Sequence, residues 1–157
     1  MVGQDTRGRI SRKRTLARRA AVQGLYQWQV SGLDLRDVES LLLGDSDLLD
    51  ELGADLRDMD IAYFRELLRG VAGRASELDA ALGPFMDRPM AGVDPVEKAI
   101  LRIGAFELVQ RPEIPYRVVI NEAVDLAKTF GAEQGHRFVN GVLDRLAAQA
   151  RAVERRR

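Results

Sequence analysis

Cysteine is missing from all 157 residues, which rules out disulfides, thiolate zinc sites and thiol nucleophiles. Histidine occurs once, at His136, and a catalytic triad or histidine metal centre would need partners that are not there. That ring stands near an expected helix start. The helix dipole disfavours its cation there, so an edge position suits it better than a role as base. No apolar run approaches the roughly 18–20 residues of a membrane span. The basic start also lacks the apolar segment and small-residue cleavage site of a signal peptide. Together these absences point to a reduced, cytoplasmic protein with no membrane anchor. G-x-S-x-G, a Walker loop and a glycine fingerprint after a strand are absent too. Asp45 and Asp47 have nothing nearby to perturb them, and their stretch lacks the glycine and terminal glutamate of an EF-hand. The sequence therefore predicts no enzyme, no metal site and no cofactor.

What is present is ordinarily globular: 46% hydrophobic and 31% charged, with only 6% aromatic. The length suits one domain with a proper core. Net charge is zero, yet the charges are segregated. Arg7, Arg9, Arg12, Lys13, Arg14, Arg18 and Arg19 face Asp5 alone, and Arg155, Arg156 and Arg157 close the chain. The compensating acids crowd between Asp34 and Asp60. Such segregation fits a polyanionic partner for the basic part, or equally a solvated tail. Residues 1–11 have almost nothing to bury and read as a flexible tail ordered by a partner. Residues 12–153 read as the helical domain, and 154–157 as a second basic tail.

The domain is organised around Asp94 to Val109. Asp94 can cap, Pro95 suits the first helical position, and Glu97 stands three residues after the cap. From Ala99 to Val109 only Arg102 and Glu107 are polar, so this helix must be enclosed on most sides. Glu107 falls on its most apolar side and, lacking an acid–base partner, reads as a structural carboxylate. Upstream, a helix should begin near Ser11 to Thr15 and end at Ser31-Gly32, burying Ala17, Ala20, Ala21, Gly24, Leu25 and Trp28. A second face aligns Arg12, Arg19, Val22, Tyr26 and Val30. Tyr26 there suits either the edge of a bundle or a base platform beside arginines, where one stack contributes about 1–3 kcal/mol. Short helical pieces follow around Val38 to Leu42 and Leu48-Leu49. Ile61, Phe64, Leu68, Val71, Ala75, Leu78, Leu82 and Phe85 then form one helical seam, with Gly70, Gly73 and Gly83-Pro84 limiting its length. Arg111 to Pro115 forbids continued helix. A helix from about Tyr116 to Phe130 should bury Ile120, Ala123, Val124, Ala127 and Phe130, with Gly131 as its cap. The last, from about Gly135 to Val153, should bury Val139, Val142, Leu143, Leu146 and Ala150. No strand alternation is convincing, so the fold class is all-α.

Several blocks, in one order, resemble the bacterial transcription antitermination factors of the NusB family. They include Ala21-Val22-Gln23-Gly24-Leu25-Tyr26-Gln27-Trp28, Tyr63 to Leu68, and Val96-Glu97-Lys98-Ala99-Ile100-Leu101-Arg102-Ile103. Ile114-Pro115-Tyr116-Arg117 with Ile120 to Ala123, and Phe138-Val139-Asn140-Gly141-Val142-Leu143, complete the set. The resemblance spans about Arg12 to Ala148. It implies two packed three-helix bundles that bind the boxA element of ribosomal-RNA transcripts as single-stranded RNA. The implied partner is NusE, a small-subunit ribosomal protein, with other Nus factors and RNA polymerase joined indirectly. By this likeness Arg9, Arg12, Lys13, Arg14, Arg18, Tyr26, Tyr116, Arg137 and Phe138 belong to the RNA surface. Val22, Tyr26 and Glu97 fall at or near the NusE contact. The chain departs from the pattern at Thr15 and Leu16, at Gln134-Gly135 and at Ala91-Gly92. A helical adaptor with an incidental tail remains an alternative. So does the accessory domain of an RNA cytosine methyltransferase, although no strand-rich cofactor domain stands beside it. A homodimer is left open.

Overall fold

A computed structural model describes residues 2–53 and 57–156, with side chains from Gly8 onward. The charges expected at Asp5, Arg7 and Arg157, and the apolar segment as far as Leu56, therefore lie partly outside the described residues. Two compact units emerge, residues 1–72 and 73–157. Among the described residues all regular structure is helical, so the all-α expectation stands.

The first unit holds α1 (Val2–Ser31), α2 (Leu35–Leu43), α3 (Ser46–Glu51) and α4 (Ile61–Gly73), which reaches one residue beyond it. Helix α1 begins about ten residues ahead of the expected Ser11–Thr15 start. Its early residues include the poor helix formers Gly3, Asp5, Thr6 and Gly8, so propensity gave no sign of helix there; adding residues to an existing helix avoids the cost of nucleation. It stops where Gly32 takes φ of +70°, a conformation that favours glycine. Ala17, Ala20, Ala21 and Leu25 are fully enclosed as expected, while Trp28 is only half-buried. A Cβ on Gly24 would come 3.0 Å from Leu68 Cδ1, so this glycine lets α1 approach α4 closely.

The crowded acids have a local structural use. Asp34 accepts from the Arg36 N–H (3.4 Å), Asp45 from Leu48 (3.0 Å) and Asp60 from Tyr63 (2.9 Å). Each thereby satisfies an otherwise orphaned N–H at the start of α2, α3 or α4. Glu39 of α2 receives a two-pronged bond from Arg69 of α4, at 3.0 and 2.9 Å.

The second unit comprises α5 (Ala75–Leu82), α6 (Pro95–Gln110), α7 (Tyr116–Phe130), α8 (Gly135–Ala150) and α9 (Ala152–Arg155). Tight 3-10 turns occupy Gly83–Phe85 and Met90–Gly92. The seam read from Ile61 to Phe85 is thus broken at Arg74, whose φ/ψ of −121°/17° leaves the helical region just after Gly73. Helix α6 is the expected pillar. Asp94 accepts from the N–H groups of Val96 (3.1 Å) and Glu97 (3.2 Å), and Ala99, Ile100, Leu101, Ile103, Ala105 and Leu108 are buried. Gly104 is needed for contact with α8, because a Cβ there would stand 2.6 Å from Leu143 Cδ1. Arg102 leaves the apolar environment through a two-pronged bond to Asp79 of α5, at 2.8 and 2.7 Å.

Helices α7 and α8 bury Ile120, Ala123, Ala127, Val139, Val142, Leu143 and Leu146 as expected. Val124 and Phe130 are half-buried and Ala150 is exposed. Helix α8 also stops before the expected Val153, at Arg151. That residue, only 6% exposed, turns its guanidinium back onto the end of α6. Its Nε donates to Leu108 O (2.8 Å), Nη1 to Ile114 O (2.9 Å), and Nη2 to Glu107 O (3.2 Å) and Arg111 O (3.0 Å). Leu108 O needs such a donor, since the residue four ahead is Pro112, which has no N–H. Glu107, 1% exposed, therefore sits where a structural role was expected, although it is its carbonyl that meets Arg151.

Candidate nucleic-acid interface

In the first unit the basic residues of α1 separate into two groups. Arg9, Arg12 and Lys13 are exposed and free to meet a polyanion. Arg14 is half-buried, with its guanidinium carbon 4.7 Å from the centre of the Tyr63 ring. Arg18 lies 5.6 Å from the same ring and is only 3% exposed. A cation over an aromatic face is attracted by the ring quadrupole, so Arg14 and Arg18 tie α1 to α4. In this conformation the enclosed Arg18 cannot reach a phosphate. Arg19 donates towards Leu52 O at 3.5 Å. Tyr26 is half-buried, leaving part of its ring accessible. Val22 is 3% exposed and packs inward with Ala21 and Leu25, so it offers a partner no surface.

In the second unit, Phe138 occupies the first turns of α8, half-buried beside exposed Arg137. The guanidinium of Arg88 covers its ring at 4.3 Å. Glu97, from the first turn of α6, comes against the start of α8: a Cβ on Gly135 would be 2.9 Å from Glu97 Oε1. Burial is the main cause raising the Glu97 pKa above its ordinary 4.5; repulsion from Asp94 adds to it and Arg88 opposes it. The preceding residue, Gln134, carries the chain into α8 with φ of +73°.

Tyr116 stands elsewhere. Its N–H donates to Glu154 Oε1 at 2.9 Å, its hydroxyl accepts from Arg117 Nε at 3.1 Å, and Arg155 lies 5.1 Å from its ring. The Glu154 carboxyl is held below its ordinary pKa, first by that backbone N–H and then by Arg151. Because Glu154 follows α8 while four residues join α7 to α8, Tyr116 lies at the opposite end of this antiparallel pair from Phe138. About 18 Å of helix rise separates Phe138 from Ala150. The two rings expected on one RNA surface are not brought together.

Arg88, Tyr63 and Arg155 are the cations and ring whose pairings sequence reading missed. Arg88 sits in a turn, Asp87-Arg88-Pro89, fifty positions from Phe138, beyond the reach of any helical period.

The NusB family profile matches residues 15–148. The chain is 58% identical over 145 residues to the transcription antitermination protein NusB of Nitrosococcus oceani, covering 92% of each chain. Among solved structures it resembles T. maritima NusB at TM-score 0.73 and 26% identity, covering 92% of this chain and 97% of that one. It also resembles a chain from the complex of antitermination factors NusB and NusE with dsRNA. There the TM-score is 0.74 at 25% identity, covering 88% and 98%.

Proposed function

The chain belongs to the NusB family, and on that premise we propose that it is a transcription antitermination factor. In this reading it binds boxA of ribosomal-RNA transcripts as single-stranded RNA, together with NusE. Other Nus factors and RNA polymerase are joined through that complex. It acts in the cytoplasm, without a catalytic step of its own. Consistent with this, among the described residues no helix is long and apolar enough to cross a membrane.

The observation that carries the reading is the recurrence of half-exposed aromatic rings bordered by arginines, Phe138 with Arg88 and Tyr116 with Arg117 and Arg155. Rings give splayed bases a stacking face, and guanidinium groups take phosphates. Arg9, Arg12, Lys13 and Arg137 supply further solvent-facing charge. Phosphate contacts alone give affinity without sequence choice, so selectivity comes from base contacts and from NusE. Tyr26, half-buried, adds a further stacking face for RNA and borders the NusE side, to which Glu97 also belongs.

The test is fluorescence anisotropy of labelled boxA RNA, scrambled RNA and a duplex, with and without NusE, across a salt series. Preference for single-stranded boxA that grows with NusE supports the reading. Equal binding to boxA and scrambled RNA would reduce the protein to a non-specific basic surface. No binding under any condition would favour a protein–protein adaptor.

A further inference from the structure

The short loop between the two 3-10 turns brings Arg88 over Phe138. We propose that Arg88 is a nucleotide-binding residue: it covers the Phe138 ring in the free protein and moves onto a phosphate when a base takes the ring. This rests on the RNA-binding reading above and adds to it a residue with a switching role.

Three features of the second unit support it. The first is shape. At 4.3 Å from the ring centre, the planar guanidinium lies over a face that a base, also planar, could occupy. The second is how loosely Arg88 is held. Its side chain is 47% exposed, and its ion pair with adjacent Asp87 (3.1 Å) involves a carboxylate that is 72% exposed. Exposed pairs of this kind contribute little; its attraction to the Glu97 carboxylate and its cation–π contact with the ring, about 0.5–1 kcal/mol where exposed, are what the incoming nucleotide must replace. The third is position. Phe138 is followed by buried Val139, Val142 and Leu143 on α8, which fix the ring's backbone while Arg88 stays on a loop. A rigid platform under a displaceable cation suits a site where the base arrives as the cation turns to the backbone of the same strand. Arg137, exposed on α8, adds charge beside it.

The experiment titrates boxA single-stranded RNA with the full chain and with Arg88→Ala, Arg88→Lys and Phe138→Ala, each over a salt series. Thermal melts of every variant accompany the titrations. Loss of one phosphate contact should make the slope of log K against log[salt] shallower by about 0.7 for Arg88→Ala. Arg88→Lys should keep the slope, because an ammonium still reaches the phosphate. Phe138→Ala should weaken binding roughly 5- to 150-fold, the equivalent of losing one stacked base, while keeping the slope. If Arg88→Ala binds with unchanged slope, or more tightly, Arg88 merely shields the ring and the proposal is wrong. A lost slope in Arg88→Lys that matches Arg88→Ala would also overturn it. If the unaltered protein fails to bind single-stranded RNA both alone and with NusE, the antitermination reading itself falls, and this proposal with it.

Discussion

Replacing Arg151 with methionine should destabilise the second unit. Methionine keeps much of the aliphatic stem but offers no donor to the four carbonyls that Arg151 serves at the end of α6 and in the turn after it. Two of these have a second donor, since Glu107 O also accepts from Arg111 N–H and Arg111 O from Ile114 N–H. Leu108 O does not have the usual helical donor, because Pro112 stands where its N–H would be. A buried acceptor left unsatisfied costs about 1–3 kcal/mol. At about 2–4 °C per kcal/mol for a protein of this size, the melting temperature should fall by roughly 2–12 °C. Arg151→Lys should recover only part of the loss, since one ammonium cannot span four divergent carbonyls. Urea melts followed by circular dichroism, with the slope m compared between variants, would separate lost stability from a changed unfolded state. A loss below about 1 kcal/mol in Arg151→Met would refute the view that this guanidinium holds the α6–α7 turn.

Three other outcomes follow from the same contacts. Gly104→Ala gains about 1 kcal/mol of helix propensity but drives a Cβ into fully buried Leu143, where overpacking costs about 1–3 kcal/mol. A net loss near 1 kcal/mol is expected in thermal melts, and a more stable variant would show that Leu143 has room to shift. Glu97, with its folded pKa raised by burial, favours folding in its protonated form. Its contribution is therefore fully present below the ordinary 4.5 and declines as pH climbs through the raised value. Glu97→Gln should compare more favourably with the unaltered protein at pH 7 than at pH 4, and a pH-independent difference would contradict the assignment. Tyr26→Ala should weaken boxA binding by about 1–3 kcal/mol with little change in melting temperature. A large drop in melting temperature would make the ring part of the core instead.

The helices were legible because their signals are local. Asp94-Pro95 announces α6, the period from Ala17 to Leu25 marks the inner face of α1, and Arg111 to Pro115 forces a turn. Boundaries were less legible. Nothing in the seam from Ile61 to Phe85 marks Arg74 over Gly70 as the point of fracture, and the polar start of α1 gives no apolar period to read. The candidate site was legible in its residue types and not in its pairings. Arginines and aromatics were visible, but which cation lies on which ring depends on contacts across 49 or 50 positions, as with Arg14 and Tyr63 or Arg88 and Phe138.

By itself, the sequence determined the all-α class, the pillar helix and its cap, the basic character of the start and the likeness to one family. Each of these is a property of neighbouring residues or of their order along the chain. Tertiary structure alone decided that Arg18 and Val22 are enclosed, and that Tyr116 and Phe138 stand at opposite ends of α7 and α8. It alone decided that Arg151, outwardly one more basic residue near the end, is a buried clasp on α6. The physical reason is that a side chain's exposure and partners are set by how helices pack against one another. Two arginines that look alike in sequence become a solvent-facing cation, as at Arg12, or a buried structural donor, as at Arg151, according to the surface their helix turns to.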